Sequence, residues 1–215
     1  MRNRGKLICD ACATKPQYVR EPYCLKCGKQ LKTAEKAICD GCSRQKIIID
    51  EGRAVFIYDD IMRKSIYRFK YNSRKEYAKY YASEIYKVHK DTIRRWNPDI
   101  IIPIPIHKSK MKSRGFNQAY LIAKEVSNLT KIPVKDNIIY RAKRTEKQKN
   151  LGENDRRGNA KNAFKMSSDG VQYLSAMLID DIYTTGATIN SAAKTLKDGG
   201  FTKVYSMSLS IGKDL

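Results

Sequence analysis

Residues 177–190 read Met-Leu-Ile-Asp-Asp-Ile-Tyr-Thr-Thr-Gly-Ala-Thr-Ile-Asn. Leu174 to Ile179 is apolar enough to predict a buried strand, with Asp180 and Asp181 at its end. A loop of small residues follows, in which Gly186 permits a tight turn and close backbone approach. Ile189, Ala192, Ala193 and Leu196 then recur at i, i+3, i+4 and i+7, the spacing of an amphipathic helix. The start of such a helix leaves amide donors unpaired and partially positive, which favours a phosphate. The two carboxylates repel phosphate. They suit sugar hydroxyls, or a Mg²⁺ held through waters. A ribose with a phosphate on one side and metal-bound pyrophosphate on the other presents all these partners together.

The rest of the chain alternates in the same way. Ile47 to Ile57 reads as a linker and an early strand around Asp50-Glu51-Gly52, and Ile61 to Tyr71 as a short amphipathic segment. Glu76 to Trp96 predicts a helix, with Tyr77, Tyr80, Tyr81, Ile85 and Val88 at helical spacing. Those tyrosines are either core or a surface for stacking bases. After Pro98-Asp99 come a strand from Ile100 to Pro105, a helix over Asn117 to Leu129, a strand over Val134 to Tyr140 and a last strand over Lys203 to Ile211. Strand–helix alternation predicts an α/β fold, a parallel sheet covered on both faces by helices. Ligands of such sheets sit beyond the carboxyl ends of the strands, where Asp180 falls. There is no Gly-x-x-x-x-Gly-Lys-Ser/Thr and no Gly-x-Gly-x-x-Gly, which argues against a nucleotide-driven motor and a dinucleotide enzyme.

All six cysteines lie near the start, as Cys9/Cys12, Cys24/Cys27 and Cys39/Cys42, each pair a Cys-x-x-Cys. Paired thiolates at this spacing suit tetrahedral, structural Zn²⁺. One zinc takes two pairs. Cys24, Cys27, Cys39 and Cys42 make a complete ribbon, and the equal spacing leaves Cys9, Cys12, Cys24 and Cys27 as the alternative. Residues 1–46 are therefore expected to form a zinc ribbon module and 47–215 the α/β domain. With 43 Lys and Arg against 22 Asp and Glu, the net charge of +21 points to an anionic partner. No apolar run reaches the ~18 residues of a membrane span. The N-terminus lacks the apolar core of a secretory signal, so a cytoplasmic protein is expected. Residues 141–161 are polar and without periodicity. They carry Arg141, Lys143, Arg144, Lys147, Lys149, Arg156, Arg157 and Lys161. Such a basic flap can close over pyrophosphate, or lie along a nucleic-acid strand whose counterions it releases.

Ile179-Asp-Asp-Ile-Tyr-Thr-Thr-Gly-Ala-Thr188 resembles the phosphoribosyl pyrophosphate (PRPP) motif of type I phosphoribosyltransferases. The resemblance implies that Asp180 and Asp181 bind the ribose hydroxyls and stabilise the sugar in catalysis. It also implies that Thr184, Thr185, Gly186, Ala187 and Thr188 cradle the 5′-phosphate, with Mg²⁺ accompanying PRPP. The loop leaving the Ile100 strand, with His107, Lys108 and Arg114, would hold pyrophosphate. His107 reads more readily as a surface or hydrogen-bonding residue than as a catalytic one. The order of parts is itself similar to the ComF/ComFC competence family: the ribbon, Phe69-Lys-Tyr71, Pro103-Ile-Pro-Ile-His107, Arg114-Gly-Phe-Asn-Gln118, Gln148…Leu151…Arg156…Asn159…Ala163-Phe164, then the PRPP motif. One cysteine pair of that family's pattern is missing here. The family resemblance implies a zinc ribbon fused to a phosphoribosyltransferase-like domain. It also implies a role with single-stranded DNA in natural transformation, in the cytoplasm, beside a helicase partner. Lys143, Arg144, Lys147, Lys149, Arg156 and Arg157 are the expected DNA contacts. The alternative is an active phosphoribosyltransferase passing ribose 5-phosphate from PRPP to a base or amine.

Overall fold

The computed structural model describes residue 12 and residues 15–72, 74–141, 163–170 and 172–212. Four strands form one parallel sheet: β1 (Glu51–Ile57), β2 (Ile100–Pro103), β5 (Ser175–Tyr183) and β6 (Lys203–Ile211), in the order β1-β6-β5-β2. The whole of β2 is buried, and so is most of β1, β5 and β6, as expected of parallel strands covered on both sides. Alternate residues divide between the two faces. Met177 and Ile179 of β5 join Ile101, Met207 and Leu209 in one core. Ala176 and Leu178 join Ile100, Ile102 and Val204 in the other.

Three helices cover the first face. In α2 (Asp60–Tyr71), Asp59 caps the N-terminus by accepting from the Met62 amide, and Met62, Ile66 and Phe69 are buried. In α3 (Tyr77–Trp96), Tyr80, Tyr81, Ile85, Ile93 and Trp96 are buried, so the tyrosine stripe belongs to the core. Asn97 closes that helix in the left-handed conformation at φ 42°. In α5 (Gln118–Thr130), Ala119, Ile122, Ala123 and Val126 face the sheet. The second face packs α6 (Ala187–Asp198), the cysteine region and a two-stranded antiparallel sheet of β3 (Ile139–Arg141) and β4 (Phe164–Met166).

Several boundaries differ from those expected. The strand over Val134 to Tyr140 is replaced by a single bridge, Val134 to Ile101, and by the short β3. The acidic strand continues through Asp180 and Asp181 to Tyr183, because β6 pairs with it as far as Tyr183↔Ile211. On its other side β2 stops at Pro103↔Ile179. The acids therefore lie inside the strand on one side and at the sheet's rim on the other. Residues 108–114 form a helix, α4 (Lys108–Arg114), that buries no residue and so carries no apolar period.

The cysteine region docks on β1. Residues 17–19 run antiparallel to it, with Val19 N–H donating to Val55 O (2.9 Å) and Ile57 N–H to Gln17 O (2.8 Å). A short helix, α1 (Asp40–Ser43), carries Cys42. Gly28, at φ +76°, lies so close to β1 that a Cβ there would sit 2.5 Å from Arg53 Cα. No helix among the described residues is long and apolar enough to cross a membrane.

Candidate functional site

The carboxyl ends of β2 and β5 frame a cavity of about 160 Å³. Asp180, Asp181 and Thr188 line it from β5 and α6, Arg114 and Lys110 from α4, Asn117 and Gln118 from the start of α5, Lys70 from α2 and Arg141 from β3. Neighbouring residues on a strand point to opposite faces, so the two acids acquire different partners. Asp181 forms an ion pair with Lys70, both side chains being largely buried. Asp180 also feels the charge of Lys70 and has the Arg141 guanidinium nearby. Asp180 keeps a little solvent contact, yet burial, and then the charge of Asp181, push its carboxyl up to about 8. Burial lowers the Arg141 pKa, and Asp180 opposes that shift.

Unpartnered donors surround these acids. Arg114 donates from Nη1 to Gln118 Oε1 (3.0 Å) and from Nη2 to the Tyr71 hydroxyl (2.8 Å). Arg114 Nε and Gln118 Nε2 are buried with no acceptor. A buried unsatisfied donor costs roughly 1–3 kcal/mol, so an oxygen-rich ligand placed here removes a standing penalty. Asn117 sets the start of α5, accepting from the Ala119 amide (3.1 Å) and donating to Ile104 O (3.0 Å).

In the Thr184–Thr188 bend, the only amide with a partner among the described residues is that of Ala187, which reaches Thr185 Oγ1 at 3.4 Å. Gly186 opens α6 at φ +77°, and a Cβ there would stand 2.1 Å from the Tyr183 hydroxyl. Tyr183 lies buried beneath the bend, its hydroxyl without a partner. Burial, and then the nearby cysteines, drive its phenol pKa upward. The cysteine region also holds the bend from outside. Gln45 Nε2 donates to Thr185 O (3.4 Å), and Asn190 accepts from the Ile48 amide (3.0 Å).

Cys24, Cys27, Cys39 and Cys42 are all buried, with their sulfurs within 4.8 Å of one another. Cys27 Sγ and Cys39 Sγ are 3.7 Å apart, and the Cys39 amide donates to Cys24 Sγ (3.3 Å). The four are placed so that they could hold one metal ion between them. Cys12 is exposed and outside this group, and Cys9 lies outside the described residues.

Of the residues expected from sequence, the structure brings Asp180, Asp181, Thr188 and Arg114 to the cavity. Thr184, Thr185, Gly186 and Ala187 lie along the bend at its rim. His107 and Lys108 do not line the cavity. His107 caps α4 through its ring Nδ1, which accepts from the Ser109 amide (3.2 Å). Lys143, Arg144, Lys147, Lys149, Arg156 and Arg157 lie outside the described residues. Lys110 and Gln118 come from the stretch expected to hold pyrophosphate and Arg141 from the expected flap, whereas Lys70 is a lining residue to which sequence reasoning gave no role at the site. Each belongs to an element distant in sequence from the acids, and only the tertiary fold gathers them.

No protein-family model matches the chain. Among curated proteins it is 32% identical over 202 residues to Competence protein F of Haemophilus influenzae, covering 92% of this chain and 87% of that one. It is 27% identical over 203 residues to Competence protein ComFC of Bacillus subtilis, covering 90% and 79% of the two chains. With DNA utilization protein YhgH of Salmonella typhimurium it shares 27% identity over 202 residues, covering 92% and 87%. Similar solved structures include Trypanosoma cruzi hypoxanthine phosphoribosyl transferase (13% identity, 64% and 66% of the chains, TM-score 0.41) and the purine phosphoribosyltransferase of Pyrococcus horikoshii (13%, 63% and 89%, TM-score 0.38). Sequence identity across nearly its whole length makes this chain a member of the Competence protein F/ComFC family.

Proposed function

We propose that the cavity and the adjoining bend bind PRPP, and that the protein handles single-stranded DNA during DNA uptake in the cytoplasm. The observation that carries the first half is one acid pair enclosed by donors that have no protein partner. Asp180 and Asp181 take the ribose hydroxyls. The free amides and hydroxyls of Thr184 to Thr188 take the 5′-phosphate at the head of α6. Arg114, with Lys110 and the orphan donor of Gln118, faces the pyrophosphate, where charge-assisted hydrogen bonds are strongest. Mg²⁺, bound with PRPP, would neutralise the pyrophosphate and make it a better leaving group. Asp181 takes a ligand only once Lys70 gives it up, so Lys70 is an internal counter-ion that the ligand must displace.

Residues 1–46 act in this reading as a zinc module docked on 47–215. Tetrahedral zinc with Zn–S bonds of about 2.3 Å sets its sulfurs about 3.8 Å apart, close to the spacing of Cys27 and Cys39. Four thiolates leave no open position, so the metal's part is structural. The DNA half of the reading rests on the names of the relatives, on the +21 charge and on the basic run from Lys143 to Arg157.

Thermal or urea unfolding with PRPP and Mg²⁺ tests the pocket. Ligand at a hundredfold excess over Kd adds about 2.7 kcal/mol. Asp181→Asn is expected to abolish that gain while the unliganded protein stays folded. A full gain in the variant would remove Asp181 from the site.

A further inference from the structure

We propose that the outer side of α2 is a stacking platform for single-stranded nucleic acid and that it leads into the cavity. The proposal rests on the DNA-handling reading above and gives the strand a location. Lys64, Tyr67, Arg68 and Tyr71 recur at i, i+3, i+4 and i+7, so they share one side of the helix, and all four are exposed. Tyr67 is 59% exposed and Tyr71 54%, far more than the core tyrosines of α3. Their ring centroids are 4.9 Å apart, with planes inclined at 42°. Two adjoining aromatic rings thus face solvent.

The platform joins the cavity through Arg114. Its guanidinium lies 4.9 Å from the Tyr71 ring centroid and donates to the Tyr71 hydroxyl, while the same residue lines the cavity. Lys70, next in sequence to Tyr71, lines it as well. Tyr67, Tyr71 and Arg114 therefore form a continuous track that ends at the acid pair. Nearby acids are already engaged: Asp60 pairs with Arg63 and Glu76 with Arg74. Lys64 and Arg68 make no ion pair among the described residues and are free to meet phosphates. Rings flanked by uncommitted cations match a chain that alternates flat bases with phosphates, because every base offers a π face. A duplex hides those faces. An acidic peptide would use the cations and leave the rings idle.

The test is binding of a short fluorescent oligothymidylate by anisotropy over a salt series. Tyr67→Ala and Tyr71→Ala should each weaken binding about tenfold without changing its salt dependence, since stacking is not ionic. Tyr67→Phe should bind as the parent does. The double variant Lys64→Ala/Arg68→Ala should flatten the slope of log K against log[salt] by about 0.7 for each phosphate no longer neutralised. An oligomer with abasic sites should bind the parent weakly and ignore the tyrosine substitutions. Tyr67→Ala should keep the stabilisation by PRPP and Mg²⁺, which shows that it is folded. If the tyrosine-to-alanine proteins bind the oligomer as tightly as the parent, the platform is wrong and the DNA-handling reading stands. If the parent binds no single strand at low salt, the DNA-handling reading fails and takes the platform with it.

Discussion

Asp180 is an acid whose environment favours the proton. Its pKa of about 8 lies well above the ordinary carboxyl value of about 4, so between those limits the native chain holds a proton that the unfolded chain has released. The sign follows: stability contributed at this residue falls as pH rises from about 4 towards 8. Asp180→Asn should flatten that decline, as read from urea midpoints across pH. A ligand that needs the carboxylate behaves in the opposite way. PRPP with Mg²⁺ should bind more tightly at pH 9 than at pH 7 in the parent, and with little change in Asp180→Asn, by calorimetry. Gly186 is constrained differently. Its φ of +77° and the Tyr183 hydroxyl 2.1 Å from any Cβ leave an alanine no room. Gly186→Ala should cost about 1–3 kcal/mol in urea unfolding and abolish the PRPP gain. Adding Tyr183→Phe should recover only part, because Tyr183 Cζ would still stand 2.6 Å from the new methyl.

At the scale of elements, β1 is tied to the end of α3 by one carboxylate. Glu51 accepts from Arg95 Nη1 and Nη2 (2.9 and 2.8 Å), from Trp96 Nε1 (2.8 Å) and from Arg53 (2.5 Å). Burial alone would raise its pKa, but these donors outweigh burial and hold it below the usual range. Glu51→Ala strands the buried Arg53 and should cost about 3 kcal/mol, seen as a lower urea midpoint at unchanged slope. The cysteine region and the bend are joined just as directly through Gln45, Lys46 and Ile48. Stripping the metal with a chelator should therefore raise amide hydrogen exchange over residues 183–190 as well as 24–42.

Elements with strong apolar periods were legible in the sequence. The Lys203–Ile211 strand and the helix after Asn117 fall within a residue of expectation. Helix α4 was not legible, because seven residues with none buried carry no pattern to read. The extension of β5 through two acids was hidden for a related reason: β6 pairing holds those residues in the strand, while their side chains serve the cavity. Equal cysteine spacing could not choose the ligand pairs, and the choice emerges only where the thiols meet.

For the whole molecule, the two core layers do different things. One, built on α2, α3 and α5, supplies Lys70 and the start of α5 to the cavity. The other places Tyr183 and the cysteines in a single apolar cluster beneath the bend. Six of the nine lining side chains that carry the polar chemistry come from outside β5 and α6, which is why the PRPP-like motif by itself exposed only part of the site. The antiparallel segment at residues 17–19 also has a consequence for how the protein behaves in solution. It covers the flank of β1 that β6 leaves open, and an open flank is a template for pairing with another chain. A chain beginning after Arg20 should self-associate more than one that keeps residues 17–19, with light scattering as the readout, so this strap also guards against clumping.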